Sequence, residues 1–348
     1  MTTRDPISSY QAFVRDAWGT YTQQILDADP IMKPMLAHHF LSTGKLLRPA
    51  LTLAFYDCLQ GQTALDPDNT SASLTQTAIA IELLHNATLV HDDLQDGDET
   101  RRGIPTVWKA FNPYQAINTG SALYFYAQKL LLSIDQPAEV VVRLSQLLSE
   151  QTIAIIQGQA AEYTLWDQFP ERFEDARAYY IDVVERKTSA LFAIPLMSAA
   201  IMQQETQETI EGLHGVAAPL GALFQIQDDI LDLYGEKGRG SAGNDIAEGK
   251  PSLLVLHFLH HADKEDAKRL KALLTQPREE CAQEDIDWAI DAIRDAGSLA
   301  YCLEALQTLH QKAHAQCTQL HFKQENHLNS LLDQLVEKIL QPIQHLLG

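Results

Sequence analysis

LTQTAIAIELLHNATLVHDDLQD, residues 74–96, decides how this chain folds. Leu74, Ala78, Ile79, Leu83, Leu84, Ala87 and Val90 recur three and four residues apart, the period of a helix with an apolar face. The run ends on Asp92-Asp93-Leu94-Gln95-Asp96. On a helix the first and last of these aspartates are four residues apart and share a face. The same period extends over roughly 10–28, 116–132, 139–165, 174–203, 207–233, 253–274, 283–293 and 297–318. It closes with Leu328, Leu331, Leu332, Leu335 and Ile339. No run of alternating β-branched residues competes with it. Turn residues concentrate in 61–69, 96–105 and 235–251. The pattern predicts an all-α chain forming a single domain over residues 1–348.

A second cluster, Asp228-Asp229-Ile230-Leu231-Asp232, follows the apolar lead GVAAPLGALFQI. One such cluster alone reads as a solvated helix end. Two at core boundaries are harder to dismiss. At ~5.5 Å and an effective dielectric near ~20, each like pair repels by about 3 kcal/mol. Such crowding calls for counter-charge, and an oxygen-only ligand set suits Mg²⁺.

The chain carries 46 acidic and 26 basic residues, a net charge of -20, which argues against nucleic acid as a partner. Its four cysteines, Cys58, Cys281, Cys302 and Cys317, show no CxxC spacing, so neither a zinc ribbon nor a redox motif is expected. The N-terminal MTTRDPISSYQAF lacks a basic-then-apolar leader pattern, and no apolar run approaches the ~18 residues of a membrane span. A cytoplasmic protein without a transmembrane segment is expected. The glycine-rich GEKGRGSAGNDIAEGKP (235–251) follows a helix, not a strand, so it is neither a P-loop nor a dinucleotide-binding turn.

Against this acidity the cations stand out. Arg101 and Arg102 follow the first cluster, Lys45 and Arg48 sit in GKLLRP, Lys187 precedes Thr188, and Lys250 ends DIAEGK. Each alone is an ordinary solvated charge. Together, beside apolar segments, they suggest more than one bound anionic group, with Arg supplying a planar fork and Lys a point charge. His85, three residues after Glu82, reads as a satisfied core histidine or as a partner of Glu82.

GKLLRP (44–49), ELLH (82–85), HDDLQD with RRG (91–103), IIQGQ (155–159), KTSALF (187–192), FQIQDDILD (224–232) and DIAEGK (245–250) occur in order across about 210 residues. In these motifs the chain resembles the trans-isoprenyl diphosphate synthases, or short-chain polyprenyl synthases, of the geranylgeranyl type. The resemblance implies the isoprenoid synthase fold, many mostly antiparallel helices around a central active-site cavity, and a homodimer. It implies that an allylic diphosphate ionises, isopentenyl diphosphate attacks the carbocation, and a proton is lost. It also implies a cluster of about three Mg²⁺ ions, replaceable by Mn²⁺. The metal set would be Asp92, Asp96, Asp228 and Asp232, with Asp92, Asp96 and Asp228 direct and Asp93, Asp229 and Asp232 further or water-mediated. By the same resemblance Arg101, Lys187 and Lys250 hold the allylic diphosphate, with Thr188 and Gln225 lining the reaction centre. Lys45, Arg48, His85 and Arg102 would hold isopentenyl diphosphate.

The chain departs from the family twice. Relatives commonly carry a lysine at the place of Gly240, where Arg239 and Lys237 are the nearby cations, and often Gly-Asp at the place of Gly120-Ser121. Two rivals remain: a class I terpene cyclase, which would not need both aspartate clusters, and a non-catalytic partner subunit, which would tend to have lost some of them.

Chain length follows from helix geometry. One turn, ~5.4 Å, is close to one isoprene unit. The residues four and five before Asp92 are the small Thr88 and Ala87, with Leu83 and Leu84 a turn beyond and Tyr124, Phe125 and Tyr126 of a nearby helix as floor candidates. A geranylgeranyl product is expected, then a longer polyprenyl, then farnesyl.

Overall fold

A computed structural model describes residues 6–62, 70–162, 164–235 and 242–347. The chain forms two compact units. The first gathers Met1–Thr152, Leu191–His214 and Cys317–Gln334, and the second Ile153–Ala190, Gly215–Gln316 and Leu335–Gly348.

In the first unit run α1 (Pro6–Ala28), α2 (Lys33–Phe40), α3 (Leu47–Leu59) and α4 (Ala72–Gln95). A short hairpin, β1 (Thr100–Arg101) and β2 (Ile104–Pro105), leads to α5 (Val107–Ala110), α6 (Pro113–Leu131) and the start of α7 (Ala138–Glu162). The decisive helix is α4. Ser71 caps it, its side chain accepting the Leu74 N–H at 3.1 Å, which satisfies one orphan donor of the first turn. An apolar face was expected, yet Thr77–Leu84 are buried at every position, two full turns on all sides. The reason is enclosure: α6 runs along α4, and α3 and α1 also pack on it.

Asn112 caps α6 by accepting the Gln115 N–H, and Pro113 takes the first helical position, where its missing N–H costs nothing. The hairpin falls within the segment expected to be turn. Thr100 pairs with Pro105 and Arg101 with Ile104. The two linking residues, Arg102 (φ 53°) and Gly103 (φ 77°), both take positive φ, as two-residue hairpins of the right twist demand.

The second unit holds the end of α7, then α8 (Phe173–Val184) and a π-helical turn, Glu185–Ser189; α9 (Ala190–Met202), which continues from that turn, belongs after Ala190 to the first unit. α10 (Gln207–Tyr234) carries the chain from the first unit into the second. There follow α11 (Asn244–Ala247), α12 (Leu253–His261), α13 (Lys264–Leu274), α14 (Gln283–Asp295) and α15 (Ser298–Gln319), whose last residues return to the first unit, as does α16 (Glu325–Leu340) as far as Gln334. The apolar α12, capped by Ser252, packs against α8, α13 and α14. Among the described residues, no helix is long and apolar enough to cross a membrane.

Candidate active site

The first aspartate cluster occupies the C-terminal end of α4. Asp96 is its C-cap, donating its N–H to Asp92 O at 2.8 Å. Carboxylates here oppose the partial negative charge of the helix end, so the arrangement favours a nearby cation. Asp92 and Asp96 are half-buried, whereas Asp93 is buried. Asp93 faces Arg101, whose Nε and Nη2 lie 2.6 Å and 2.5 Å from its Oδ1. Burial raises the Asp93 carboxyl above its usual range, against the pull of Arg101. The hairpin thus carries the partner of Asp93 on its first strand.

Its turn carries Arg102, whose Nη1 donates to Ser42 O at 3.0 Å. Gly44 makes room: a Cβ there would come within 2.7 Å of that guanidinium. The chain then turns through Leu46, buried and left-handed at φ 53°, ψ 36°. That conformation costs a branched residue about 1–3 kcal/mol and sets how the chain passes from Lys45 into α3, which carries Arg48. Arg48 Nη1 lies 3.1 Å from His85 Nε2, and its guanidinium sits 5.8 Å from the Phe192 ring centroid.

Burial, then the charge of Arg48, pushes the His85 pKa well below its ordinary value. Neutral His85 therefore accepts at Nε2 and carries its proton on Nδ1, an assignment made from the hydrogen-bond network. His85 Nδ1 and Arg48 Nε are both buried without a hydrogen-bond partner. Two such donors are what an anion needs and what a core without a ligand would avoid. The Glu82–His85 pairing entertained from spacing does not form this contact: Glu82 accepts from Asn86 Nδ2 at 3.3 Å, while His85 meets Arg48.

In the second unit a partly open cleft collects Lys187, Thr188, Gln225, Asp228, Asp229 and Lys250. Lys187 and Thr188 project from the π-helical turn, a one-turn defect that recurs at functional sites. Two glycines border this turn. A Cβ on Gly158 of α7 would meet Lys187 N at 2.6 Å, and one on Gly221 of α10 would meet Ser189 Cα at 2.3 Å.

Polar contacts then run in sequence. Thr188 Oγ1 donates to Gln225 Oε1 at 2.9 Å, and Gln225 Nε2 donates to Asp229 Oδ1 at 2.9 Å. Tyr180 OH donates to Asp229 Oδ2, also at 2.9 Å. Asp229 is buried, and burial raises its pKa to about 7 despite these donors. Asp228 is exposed. Asp232 accepts the Asp245 N–H at 3.1 Å, and burial raises its pKa to about 6. Each lysine sits on a carboxylate: Lys187 on Glu162 at 2.5 Å, and Lys250 on Glu248 at 2.7 Å and Asp245 at 3.5 Å. Arg278 also binds Glu248, at 2.8 Å, and Trp166 Nε1 donates to Gly249 O at 2.7 Å.

Sequence reasoning missed Glu162, Tyr180, Asp245, Glu248 and Arg278. Asp245 and Glu248 were visible inside DIAEGK; Glu162, Tyr180 and Arg278 carry no pattern of their own. Gly240, Arg239 and Lys237 lie outside the described residues. Ala87 and Thr88 are buried on α4, the Thr88 hydroxyl donating to His85 O at 2.8 Å. Tyr124 lies against His91, ring centroids 5.7 Å apart. Phe125 requires a correction as a floor candidate: it is 77 % exposed, because it falls on the face of α6 turned away from α4.

Neither unit presents a paired nucleophile and base in these sets; both present carboxylates with arginines and lysines, chemistry suited to a group carried on a diphosphate. The polyprenyl synthetase family model matches residues 29–293. The short chain isoprenyl diphosphate synthase of Methanocaldococcus jannaschii is 33 % identical over 273 residues, 77 % of this chain and 78 % of that protein. The geranylgeranyl diphosphate synthase of Sulfolobus acidocaldarius is 35 % identical over 242 residues, covering 68 % and 69 %. The crystal structure of geranylgeranyl pyrophosphate synthetase from Pyrococcus horikoshii superposes with a TM-score of 0.76 at 28 % identity, covering 95 % of this chain and 98 % of that one. The chain belongs to the polyprenyl synthetase family, and it is a prenyltransferase that makes a linear isoprenyl diphosphate. The all-α expectation and the family resemblance therefore both hold, and neither a cyclase nor a non-catalytic subunit is needed.

Proposed function

We propose that this chain joins isopentenyl diphosphate to an allylic diphosphate, head to tail and trans, and releases geranylgeranyl diphosphate. The observation behind the length is α4 itself: Ala87 and Thr88, one turn before Asp92, are small, and Leu84 follows on the same face. Longer products are the second reading, because Ala80, Thr77 and Ser73 continue that face with small side chains beyond Leu84.

Asp92, Asp96, Asp228 and Asp232 are the residues that would hold Mg²⁺. The fit rests on their chemistry: oxygen donors only, with Asp92 and Asp96 set against a helix C-terminus that disfavours their charge. Bound Mg²⁺ supplies positive charge to a departing diphosphate. Arg101, Lys187 and Lys250 bind the allylic diphosphate, and an incoming phosphate displaces the carboxylates on which the lysines rest. Lys45, Arg48, His85 and Arg102 bind isopentenyl diphosphate, with His85 Nδ1–H and Arg48 Nε–H as buried donors to it. Asp93 and Asp229 act differently from the ligands: Asp93 orients Arg101, and Asp229 fixes Gln225 and through it Thr188. Apolar neighbours keep water from the carbocation.

The same reading takes the whole chain as one synthase domain working in the cytoplasm as a homodimer. Supporting the dimer, α6 exposes Tyr114, Ile117 and Phe125 along one side, continued by its C-cap Leu132, an apolar face that a second copy would cover. The test is product analysis with radiolabelled isopentenyl diphosphate, Mg²⁺ and each allylic primer in turn. A C20 product is expected; a product ending at C15 would overturn the length, and no incorporation would overturn the assignments of substrate-binding residues.

A further inference from the structure

The aspartate clusters do not use α15, where His310 and His314 lie four residues apart on one face. Both are half-buried, which narrows their rotamers. Their rings tilt by 54° with centroids 5.0 Å apart, and the two Nε2 atoms converge to 3.2 Å. An ion bound to both at ~2.05 Å would subtend an N–metal–N angle of about 103°, close to tetrahedral. We propose that His310 and His314 form a two-imidazole site for a borderline transition-metal ion such as Zn²⁺, Ni²⁺ or Cu²⁺, with water among the remaining ligands.

The ligand type sets the ion class. Imidazole nitrogen suits Zn²⁺, Ni²⁺ and Cu²⁺, whereas Mg²⁺ takes oxygen, so this site and the carboxylate clusters answer to different metals. The second imidazole binds an ion already held by the first, so losing either ring costs far more than half the affinity. A second helical pair, His257 and His261, differs in geometry: those rings stack at 4.1 Å and 14°, with Nδ1 atoms engaged by Ser298 Oγ and His257 O. It is the internal control.

The experiment uses the untagged full chain with excess MgCl₂, which occupies the carboxylates. ZnCl₂ is titrated calorimetrically, and CuCl₂ is followed by electron paramagnetic resonance. One Zn²⁺ per chain and nitrogen hyperfine coupling to Cu²⁺ are expected. His310→Ala and His314→Ala each weaken Zn²⁺ binding by about tenfold or more, and His257→Ala with His261→Ala leaves it unchanged. Retained prenyl transfer in all variants shows that they fold, since none of these residues belongs to the machinery above. Zn²⁺ binding unaltered by His310→Ala and His314→Ala, or no binding by the parent chain, overturns the proposal.

Discussion

Gly158 and Lys187 touch so closely that a single methyl group cannot be added between them: a Cβ on Gly158 would stand 2.6 Å from the Lys187 backbone nitrogen. The obstruction is backbone, which a rotamer change cannot relieve. Gly158→Ala therefore has to shift the π-helical turn that presents Lys187 and Thr188. Displacing a binding group by about 1 Å costs up to ~10²-fold in rate. A fall of that order in kcat/KM for the allylic substrate is expected, with little change in KM for isopentenyl diphosphate. Steady-state kinetics with each substrate varied will check this. An equal loss for both substrates would mean that the turn does not position the allylic side selectively.

Asp93 and Arg101 give a second handle. Asp93→Asn removes the charge but keeps the shape, leaving a half-buried guanidinium without its carboxylate. About 1–3 kcal/mol of stability should be lost, and the freed Arg101 should raise KM for the allylic diphosphate. Asp96→Asn removes a proposed metal ligand instead, so it should raise the Mg²⁺ concentration needed for half-maximal rate. Thermal melts and Mg²⁺ titrations of the two variants separate these roles; identical Mg²⁺ curves would argue that both aspartates are ligands.

These roles show where the sequence was legible. The helices were readable because burial against neighbours imposes a period, and the motif aspartates because they interrupt apolar runs. The hairpin was invisible because its strands are only two residues each and its register depends on Arg102 and Gly103 taking positive φ. The π-helical turn has no composition of its own. The pairings of Asp93 with Arg101 and of Asp229 with Tyr180 and Gln225 depend on tertiary approach, so DDxxD could not tell ligands from anchors. Gly120, noted in the sequence without a reason, gains one: a Cβ there would lie 2.3 Å from His91 Nε2, so a larger residue would have to displace the His91 ring that packs on α6. Nothing in the structure explains Ser121.

Glu82 links stability to pH. Burial raises its pKa to about 7, with Arg48 and Arg102 pulling the other way. A carboxyl whose folded pKa exceeds its unfolded value holds more protons when folded, so stability falls as pH rises between the two. The favourable contribution is complete below about pH 4.5 and is lost as pH passes about 7. Glu82→Gln keeps the amide-sized side chain without the titration. Its melting temperature relative to the parent should therefore climb between pH 5 and pH 8, by the equivalent of a few kcal/mol at most. A constant difference across that range would mean that Glu82 is charged throughout.

The floor of the product cavity is the last relationship on α4 that substitution can read. Thr88, Leu84, Ala80 and Thr77 follow one another along one face, and Leu84 is the large side chain among small ones. Leu84→Ala should open the next turn, ~5.4 Å or about one isoprene unit, and shift product from C20 to C25 and longer. Ala87→Phe should do the reverse, filling the turn nearest Asp92 and favouring C15. Both substitutions are buried, so each will cost stability; Leu84→Ala should cost about 2–5 kcal/mol. Chain length is nonetheless independent of how much enzyme stays folded, because it is a ratio of products from the same active molecules. Chromatography of the dephosphorylated alcohols gives that ratio directly. If Leu84→Ala leaves C20 dominant while Tyr124→Ala lengthens the product, the tail runs along α6 rather than up α4.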